Sequence, residues 1–280
     1  MLKVVCKYIL QWVESNLDTG KNIHDLVASV GYSRKTIETW FSEAYGITIG
    51  DYLFRRRMSR ASVLLRLTCL SVTEIAILLN YSSSQNFTRA FRKFTGKTPT
   101  KYRNAEYWDV STIQPSLLYS FSMENVQLCT FPERYFSGEE CHITESFFYN
   151  QNKRNMSGIR DLISNRLCDA RDDIFILVER MNQADPQRGR SGFIDVDIKV
   201  GGITLDEGNG DFIISGGTYC YANFQGGWPD YYLFTFSFFI YILSNNKFRY
   251  SGSGYHIHFY RVNRDGCDVI NCTMYIPVIV

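Results

Sequence analysis

The chain has 280 residues and a net charge of +2, and this length is enough for two domains that each bury a core. The longest apolar run, Tyr231 to Leu243, covers thirteen residues, which is too short to span a bilayer and excludes a transmembrane helix there. The charge is unevenly distributed: residues 1–105 carry 16 Lys and Arg against 7 Asp and Glu, whereas the remainder carries 14 against 21. This asymmetry is typical of a nucleic-acid-binding half joined to a half with another role.

The first predicted helix covers Met1 to Val13. Lys3 and Lys7 interrupt its apolar stripe and no small-residue cleavage site follows, so we expect the first helix of a folded cytoplasmic protein and not a signal peptide. The eight cysteines contain no C-x-x-C pair, and in a chain without an export signal we expect free, buried thiols. The alternative is a zinc site formed by Cys267, Cys272, His256 and His258.

Residues 31–52 and 80–102 repeat one pattern at an offset of fifty positions. In each copy a short apolar run precedes a tight turn, and a longer amphipathic segment follows the turn, which is the outline of a helix-turn-helix unit. A continuous helix is predicted between the copies, over Asp51 to Leu67. Two copies predict two elements that can each enter a groove of DNA. The recurring anchors are Phe41, Gly46 and Tyr52, which return as Phe91, Gly96 and Tyr102.

The second helix of each copy has an apolar side and a polar side when its residues are spaced by about 100°. Gln and Arg can pair with adenine and guanine edges, and Arg or Lys can hold phosphates, so we predict that the polar sides read DNA. Two core helices with solvated polar faces are the alternative. The apolar sides consist of Ile37, Trp40, Phe41 and Ala44, then Phe87, Ala90, Phe91 and Phe94. The polar sides consist of Lys35, Thr39, Ser42 and Glu43, then Gln85, Arg89, Arg92 and Lys93.

Four arginines lie in the predicted connecting helix, and this charge density suggests contact with the DNA backbone or with a protein partner. An ordinary solvated helix face is the alternative. The four residues are Arg55, Arg56, Arg57 and Arg60.

The stretch from Ile9 to Arg103 resembles the AraC/XylS transcription activators, above all the subgroup containing MarA, SoxS and Rob. The resemblance rests on Gly31-Tyr32-Ser33, Phe41, Gly50 to Met58 and Ser84 to Tyr102, which recur in the family's order and spacing. It implies an all-α domain that binds promoter DNA as a monomer, with its two units in neighbouring major grooves, and that recruits RNA polymerase.

The resemblance also assigns reading positions to this chain. By position these are Lys35, Thr36 and Thr39 in the first unit, and Gln85, Asn86 and Arg89 in the second. Thr39 stands where the family usually has Arg, and Asn80 stands in a turn where Gly is usual. Because Asn tolerates a left-handed backbone, the second turn is expected to form.

Beyond residue 105 the pattern changes. Residues 106–121 lack strong periodicity and are predicted to form a linker. Residues 122–280 contain strand-helix-strand-strand twice, which predicts an α+β domain of two similar halves. The predicted helices are Lys153 to Leu167 and Pro229 to Leu243. The predicted strands are Val126 to Phe136, Asp173 to Glu179, Gly192 to Val200, Phe212 to Phe224, Tyr255 to Val262 and Cys272 to Ile279.

The second half resembles the GyrI-like effector-binding domain through Gly216 to Tyr221, Gly226-Gly227, His258-Phe259-Tyr260 and Tyr275-Ile276-Pro277. The resemblance implies a groove between the two halves for a small-molecule effector. The resembled domain commonly places an acid near the position of His258, so its absence here favours a neutral or anionic ligand, or none. The expected lining residues are Tyr219, Tyr221, Trp228, Tyr231, His258 and Tyr260.

No catalytic constellation is visible in the sequence, and no cofactor is expected. None of the histidines stands beside a nucleophile motif; they are His24, His142, His256 and His258. Two other roles for the second half stay open. It could be a protein-interaction module without a ligand, or a GyrI-like domain of the hydrolase type.

Overall fold

The computed structural model describes residues 2–106, 108–118, 126–146, 158–169, 173–183, 193–204, 210–244, 247–251, 254–260 and 269–279. The chain divides into two compact units, Met1–Ser120 and Phe121–Val280. The first unit is helical and the second is rich in strands. Within the described ranges, no helix is long and apolar enough to cross a membrane.

The first unit contains two helix pairs joined by one long helix, as the repeat predicts. Its helices are α1 (Leu2–Ser15), α2 (Ile23–Val30), α3 (Arg34–Tyr45), α4 (Ile49–Leu67), α5 (Val72–Leu78), α6 (Ser84–Thr95) and α7 (Pro99–Arg103). The helix-turn-helix pairs are α2 with α3 and α5 with α6, and α4 connects them. Helix α4 begins two residues earlier than predicted because the side chain of Thr48 accepts a hydrogen bond from the backbone N–H of Asp51.

The aromatic anchors of the repeat form equivalent contacts in both halves of this unit. The ring of Phe41 packs on that of Tyr52 with centroids 5.7 Å apart, and Phe91 packs on Tyr102 at 5.3 Å. All four side chains are buried. The residues that recur in the repeat are therefore the buried residues that pack its two halves.

Glycine ends both recognition helices. Gly46 and Gly96 have φ values of +68° and +76°, a left-handed conformation that closes the last turn of each helix and that other residues adopt with strain. The burial predicted for Ala44 is wrong. Ala44 is exposed, whereas its neighbour Tyr45 in the same turn packs on Phe41 with ring centroids 4.8 Å apart.

Residues 108–118, which we call the strap, were expected to be part of a linker but pack against α4. The backbone N–H of Gln114 donates to Ser59 Oγ at 2.8 Å, and that of Leu117 donates to Tyr52 Oη at 3.0 Å. The strap also buries apolar side chains, those of Val110 and Ile113.

The described residues of the second unit form an antiparallel sheet and two helices. Its elements are β1 (Gln127–Phe131), β2 (Arg134–Ser146), α8 (Gly158–Asp169), β3 (Ile174–Gln183), β4 (Phe193–Thr204), β5 (Phe212–Ile214), β6 (Gly217–Gly226), α9 (Trp228–Ser244), β7 (Arg249–Tyr250), β8 (Tyr255–Phe259) and β9 (Ile270–Ile279). The order across the sheet is β1-β6-β9-β8-β3-β4-β2-β5, and β7 pairs with β9. The two predicted halves meet where β3 pairs with β8, where β1 pairs with β6 and where β2 pairs with β5.

Two segments predicted as single strands each form two strands. The segment 126–136 breaks after Phe131, so that β1 pairs with β6 whereas β2 pairs with β4 and β5. The segment 212–224 breaks in the same way between β5 and β6. Phe131 and Arg134 are three residues apart, a span of at most about 11 Å. Their strands, β1 and β2, nevertheless lie near opposite ends of the strand order. The sheet must therefore curve until its edges approach each other.

The curved sheet has an outer face covered by α9 and an inner face. On β6, Phe224 contacts Tyr231 and Phe234 of α9, so it lies on the outer face. Side chains alternate along a strand, which places Tyr219 and Tyr221 on the inner face. A separate buried cluster fills part of the inner face, and it consists of Phe131, Phe136, Ile214 and Tyr219.

Candidate nucleic-acid interface and effector site

The second recognition helix, α6, presents a polar face without an acidic residue. Ser83 starts the helix by accepting a hydrogen bond from the backbone N–H of Asn86 at 3.2 Å. Burial of Phe87 and Phe91 fixes which side of α6 faces solvent. The predicted reading residues Gln85, Asn86, Arg89, Arg92 and Lys93 are all exposed on that side.

The first recognition helix, α3, offers fewer groups for binding DNA. Lys35 and Thr39 are exposed, but Glu43 is exposed as well, and phosphates repel a carboxylate. The hydroxyl of Thr36 lies 2.8 Å from Ser33 Oγ, the cap of the helix, so it is partly occupied within the protein. The exposed face of α3 therefore has fewer groups that can bind DNA than the exposed face of α6.

The turn between α5 and α6 depends on Asn80. Its backbone φ is +60°, the left-handed conformation expected from the sequence. Its side-chain amide donates to the carbonyl of Asp18 at 2.9 Å, and a Cβ at Gly20 would lie 2.9 Å from the Asn80 side chain. Asn80 thus links the turn between α5 and α6 to the loop between α1 and α2.

We expect Asn80→Ala to lower the free energy of unfolding by about 1 to 3 kcal/mol, since it adds left-handed strain and removes the bond to Asp18. Asn80→Gly is the matched control, because it keeps the backbone conformation and removes only the bond, and it should cost less. Urea unfolding followed by circular dichroism measures both. A loss in Asn80→Gly as large as that in Asn80→Ala would show that strain is not important at this turn.

The structure corrects the expectation for Arg56. The residue is 4% exposed, and its guanidinium donates from Nε to Glu14 Oε1 and from Nη2 to Glu14 Oε2, both at 2.7 Å. Its Nη1 donates to the carbonyl of Gln114 in the strap at 2.6 Å. Burial lowers the pKa of Arg56 but the Glu14 carboxylate outweighs it, and the net pKa is raised. Arg56 joins α1, α4 and the strap, so it is not available to phosphate.

The other three arginines differ in exposure. Arg57 donates to backbone carbonyls after α1, including that of Lys21 at 2.6 Å, and this internal role replaces the predicted one. Arg60 is partly buried, and burial lowers its pKa to about 10. Arg55 is exposed and pairs with Asp51 at 2.9 Å. Of the four, Arg55 is the one whose position suits an external partner.

The expected effector residues lie on two different faces of the sheet. Trp228 and Tyr231 belong to α9 and are buried, with ring centroids 5.3 Å apart. Tyr231 packs on Phe224 and Phe259 of the outer face. These two residues are therefore part of the core under α9, and their predicted place in an effector groove is wrong.

The remaining four expected residues, Tyr219, Tyr221, His258 and Tyr260, lie on the inner face or beside it. His258 Nε2 lies 2.8 Å from Asp173 Oδ2, and the His258 ring stacks on Phe175 at 4.1 Å. Tyr260 Oη lies 2.8 Å from Thr273 Oγ1. Asp173 precedes a different strand, so an acid does stand beside His258, although the residues around His258 in the sequence do not show it.

The inner face also contains His256, which the sequence analysis named as a possible zinc ligand but not as an effector-site residue. His256 is 2% exposed, and its Nδ1 is buried without a hydrogen-bond partner among the described residues. Burial, followed by the charges of Arg134 and His258, lowers its pKa to about 3, so the ring is neutral. The alternation of His256 and His258 along β8 could have indicated that both lie on one face.

The alternative zinc site is not formed by the described residues. Cys272 pairs with Phe259 and lies on the outer face, whereas His256 and His258 lie on the inner face. Cys267 lies outside the described residues. Burial of the free thiols is only partly as predicted: Cys6, Cys220 and Cys272 are buried, and Cys69, Cys129 and Cys141 are partly exposed.

Residues 26–105 match the model of a helix-turn-helix domain family, and these residues contain both recognition helices. The putative transcriptional regulator YkgA of Escherichia coli K12 is 37% identical over 130 residues, which are 46% of this chain and 54% of YkgA. The right origin-binding protein of the same strain is 33% identical over 144 residues, 51% of this chain and 48% of that protein. The transcriptional activator AarP of Providencia stuartii is 31% identical over 111 residues, 39% of this chain and 82% of AarP.

This chain belongs to the AraC family, in its MarA/Rob-type branch. It spans about half the length of YkgA and of the right origin-binding protein. The duplicated helix-turn-helix units in front of a sheet-rich unit are the organisation that the sequence predicts. Within this AraC-family chain, the exposed faces of the two recognition helices and the inner face of the sheet are candidate surfaces for partners.

A pH dependence follows from the neutral His256. Its pKa is lowered from 6.5 to about 3 in the folded protein, so the unfolded chain binds a proton that the folded chain does not. The stability that neutral His256 provides is complete above pH 6.5 and falls as the pH drops towards 3. We expect His256→Phe to flatten the loss of stability below pH 6.5, by up to about 1.4 kcal/mol per pH unit. His24→Gln, at an exposed histidine, is the control, and equal slopes in the two variants would contradict this assignment.

Proposed function

We propose that this protein is a sequence-specific DNA-binding transcription regulator that acts as an activator in the bacterial cytoplasm. The exposed face of α6 carries the proposal. It combines an amide, at Gln85 or Asn86, with the guanidinium of Arg89, the groups that pair bidentately with adenine and guanine. Arg92 and Lys93, one turn further along, suit the adjacent phosphates.

Duplication of the unit supports binding of a single molecule to an asymmetric site. Two helix-turn-helix units in one chain can occupy two successive major grooves, about 34 Å apart, without a second copy. The difference between α6 and α3 predicts one strongly and one weakly specified half-site. Recruitment of RNA polymerase belongs to the proposal because AarP is described as an activator, and the exposed Arg55 is a candidate for that contact.

The second unit is proposed to bind a small-molecule effector on its inner face. The inner-face aromatic residues support this role, as does the buried Nδ1 of His256, for which the described residues provide no hydrogen-bond partner. A protein-interaction module and a hydrolase-type domain are the other candidates. Native mass spectrometry of the purified full chain separates them, because a retained small molecule favours the effector role and its absence favours one of the other two.

Selection from random duplex DNA with the full chain tests the proposed function. We expect one asymmetric consensus with two half-sites about one helical turn apart. The half-site read by α6 should have the higher information content. Binding that depends on salt but enriches no sequence would contradict the proposal.

Arg92→Ala should weaken binding to specific and random DNA alike and reduce the salt slope by about one unit, since each phosphate contact releases counterions. Arg55→Ala is the matched comparison, and its effect on the slope should be smaller because Asp51 already offsets its charge. Titrations at several salt concentrations give both slopes. If Arg55→Ala lowers transcription in vitro without changing DNA affinity, Arg55 faces polymerase. An unchanged slope in Arg92→Ala would remove this residue from the interface.

A further inference from the structure

The side chain of Phe131 occupies an aromatic box on the inner face. Its ring stacks on Tyr219 with centroids 4.3 Å apart and planes at 17°. It stands edge-on to His256 at 5.6 Å and to Tyr275 at 6.1 Å. We define the aromatic box as Tyr219, His256 and Tyr275. Phe131 is 7% exposed, so its ring fills the box as a bound aromatic ring would.

The ring of Phe131 belongs to the buried cluster with Phe136, Ile214 and Tyr219, but its backbone lies at the end of an edge strand. Phe131 is the last residue of β1, a strand that pairs only with β6 among the described strands, and Pro132 follows it. Its cross-strand neighbour is Gly217, which has no side chain to confine the ring from that direction. Displacement of Phe131 therefore requires the loss of few backbone contacts.

The box contains a polar atom for which Phe131 offers no partner. His256 Nδ1 is buried and has no hydrogen-bond partner among the described residues, an arrangement that is unfavourable in a protein interior. A phenyl ring cannot satisfy it. A ligand with a polar substituent on its ring can do so.

A cation stands over the same ring. Arg134 Cζ lies 4.3 Å from the centroid of Phe131, and the described residues provide no salt bridge to Arg134. Burial raises the pKa of Tyr219 and of Tyr275, and the charge of Arg134 opposes this in both, so its field reaches the walls of the box. The nearby acid Asp173 is engaged with His258.

We propose that the aromatic box binds a small aromatic carboxylate, whose ring replaces that of Phe131 and whose carboxylate pairs with Arg134. This assignment rests on the proposed effector role and gives it a ligand class. A cationic ligand would be repelled by the positive charge of Arg134. Phe131 then acts as an internal competitor that closes the box when no ligand is present.

Calorimetric titration of the full chain with benzoate, benzamide and benzamidine tests the proposal. The three probes share one ring and differ in charge. In Phe131→Ala, where the competitor is absent, benzoate should bind at least about tenfold more tightly than in the wild type, and about tenfold more tightly than benzamide. Benzamidine should bind most weakly. Adding Arg134→Gln to Phe131→Ala should remove the preference for benzoate over benzamide.

Lys199→Gln is the matched control, because Lys199 Nζ also lies 4.3 Å from a phenylalanine ring, that of Phe212, outside the box. In the Phe131→Ala background it should leave benzoate affinity unchanged. If Phe131→Ala does not fold, Phe131→Leu replaces it, and the same order of affinities with a smaller gain is expected. No gain for benzoate, or equal affinity for benzoate and benzamide, overturns the proposal.

DNA binding by the same preparations distinguishes this inference from the proposed function. Specific DNA binding without any benzoate preference refutes the ligand class and leaves the regulator standing. Benzoate binding with no specific DNA binding supports the box and contradicts the regulator.

Discussion

Replacing Arg56 with alanine should lower the free energy of unfolding by about 3 to 5 kcal/mol, the cost of leaving one member of a buried ion pair without its partner. The largely buried Glu14 carboxylate would lose both hydrogen bonds from Arg56 and keep the one that the hydroxyl of Tyr52 donates at 3.2 Å. The strap would also lose the hydrogen bond that Arg56 donates to Gln114. Urea unfolding of the full chain, followed by far-ultraviolet circular dichroism, measures the loss.

Arg55→Ala is the matched control one position earlier in α4. Its pair with Asp51 is exposed, so its removal should cost less than about 1 kcal/mol. The double variant Glu14→Gln with Arg56→Met, which removes both charges, should recover part of the stability lost in Arg56→Ala. Equal losses in Arg55→Ala and Arg56→Ala would contradict the structural role of Arg56.

Arg89→Ala should weaken specific DNA binding by about 1 to 3 kcal/mol and relax the preference at one base pair. Arg89 is exposed in the middle of the α6 face, and bidentate pairing with guanine needs its planar guanidinium. Thr39→Ala, at the equivalent place in α3, should cost less. Fluorescence anisotropy with the selected site and its single-base variants gives both values.

Arg89→Lys separates charge from base reading. It keeps the positive charge but lacks the planar pair of donors, so it should lose sequence preference while retaining most of the affinity for random DNA. A Thr39→Ala loss equal to or greater than that of Arg89→Ala would show that the two recognition helices are ranked wrongly.

The helical unit was predictable because its determinants are local. Within each recognition helix the buried residues follow the helical period, as Ile37 with Phe41 and Phe87 with Phe91. The glycines at 46 and 96 end the helices at equivalent positions of the repeat. The arginines of α4 were not predictable in this way. The sequence suggests that Arg56 lies on an exposed face of α4. Its burial depends on Glu14 and on the strap, which come from distant parts of the chain.

In the sheet, composition indicated the strands but not their partners. The residues around Pro132 do not indicate that β1 and β2 lie near opposite edges of the sheet. The wrong prediction for Trp228 and Tyr231 also arose because strand partners were unknown. An aromatic residue on α9, such as Tyr231, cannot be distinguished in the sequence from one on the inner face of β6. Asp173 was missed beside His258 for a similar reason, since the two are 85 positions apart.

Protection of a selected DNA site by the full chain tests the central claim most directly. With base methylation as the probe and the stoichiometry measured in parallel, we predict one molecule per site and two protected major-groove segments about 34 Å apart on one face of the duplex. Arg89→Ala should remove protection from one segment and leave the other. A single protected segment, two molecules per site, or protection that is unchanged in Arg89→Ala would contradict the account.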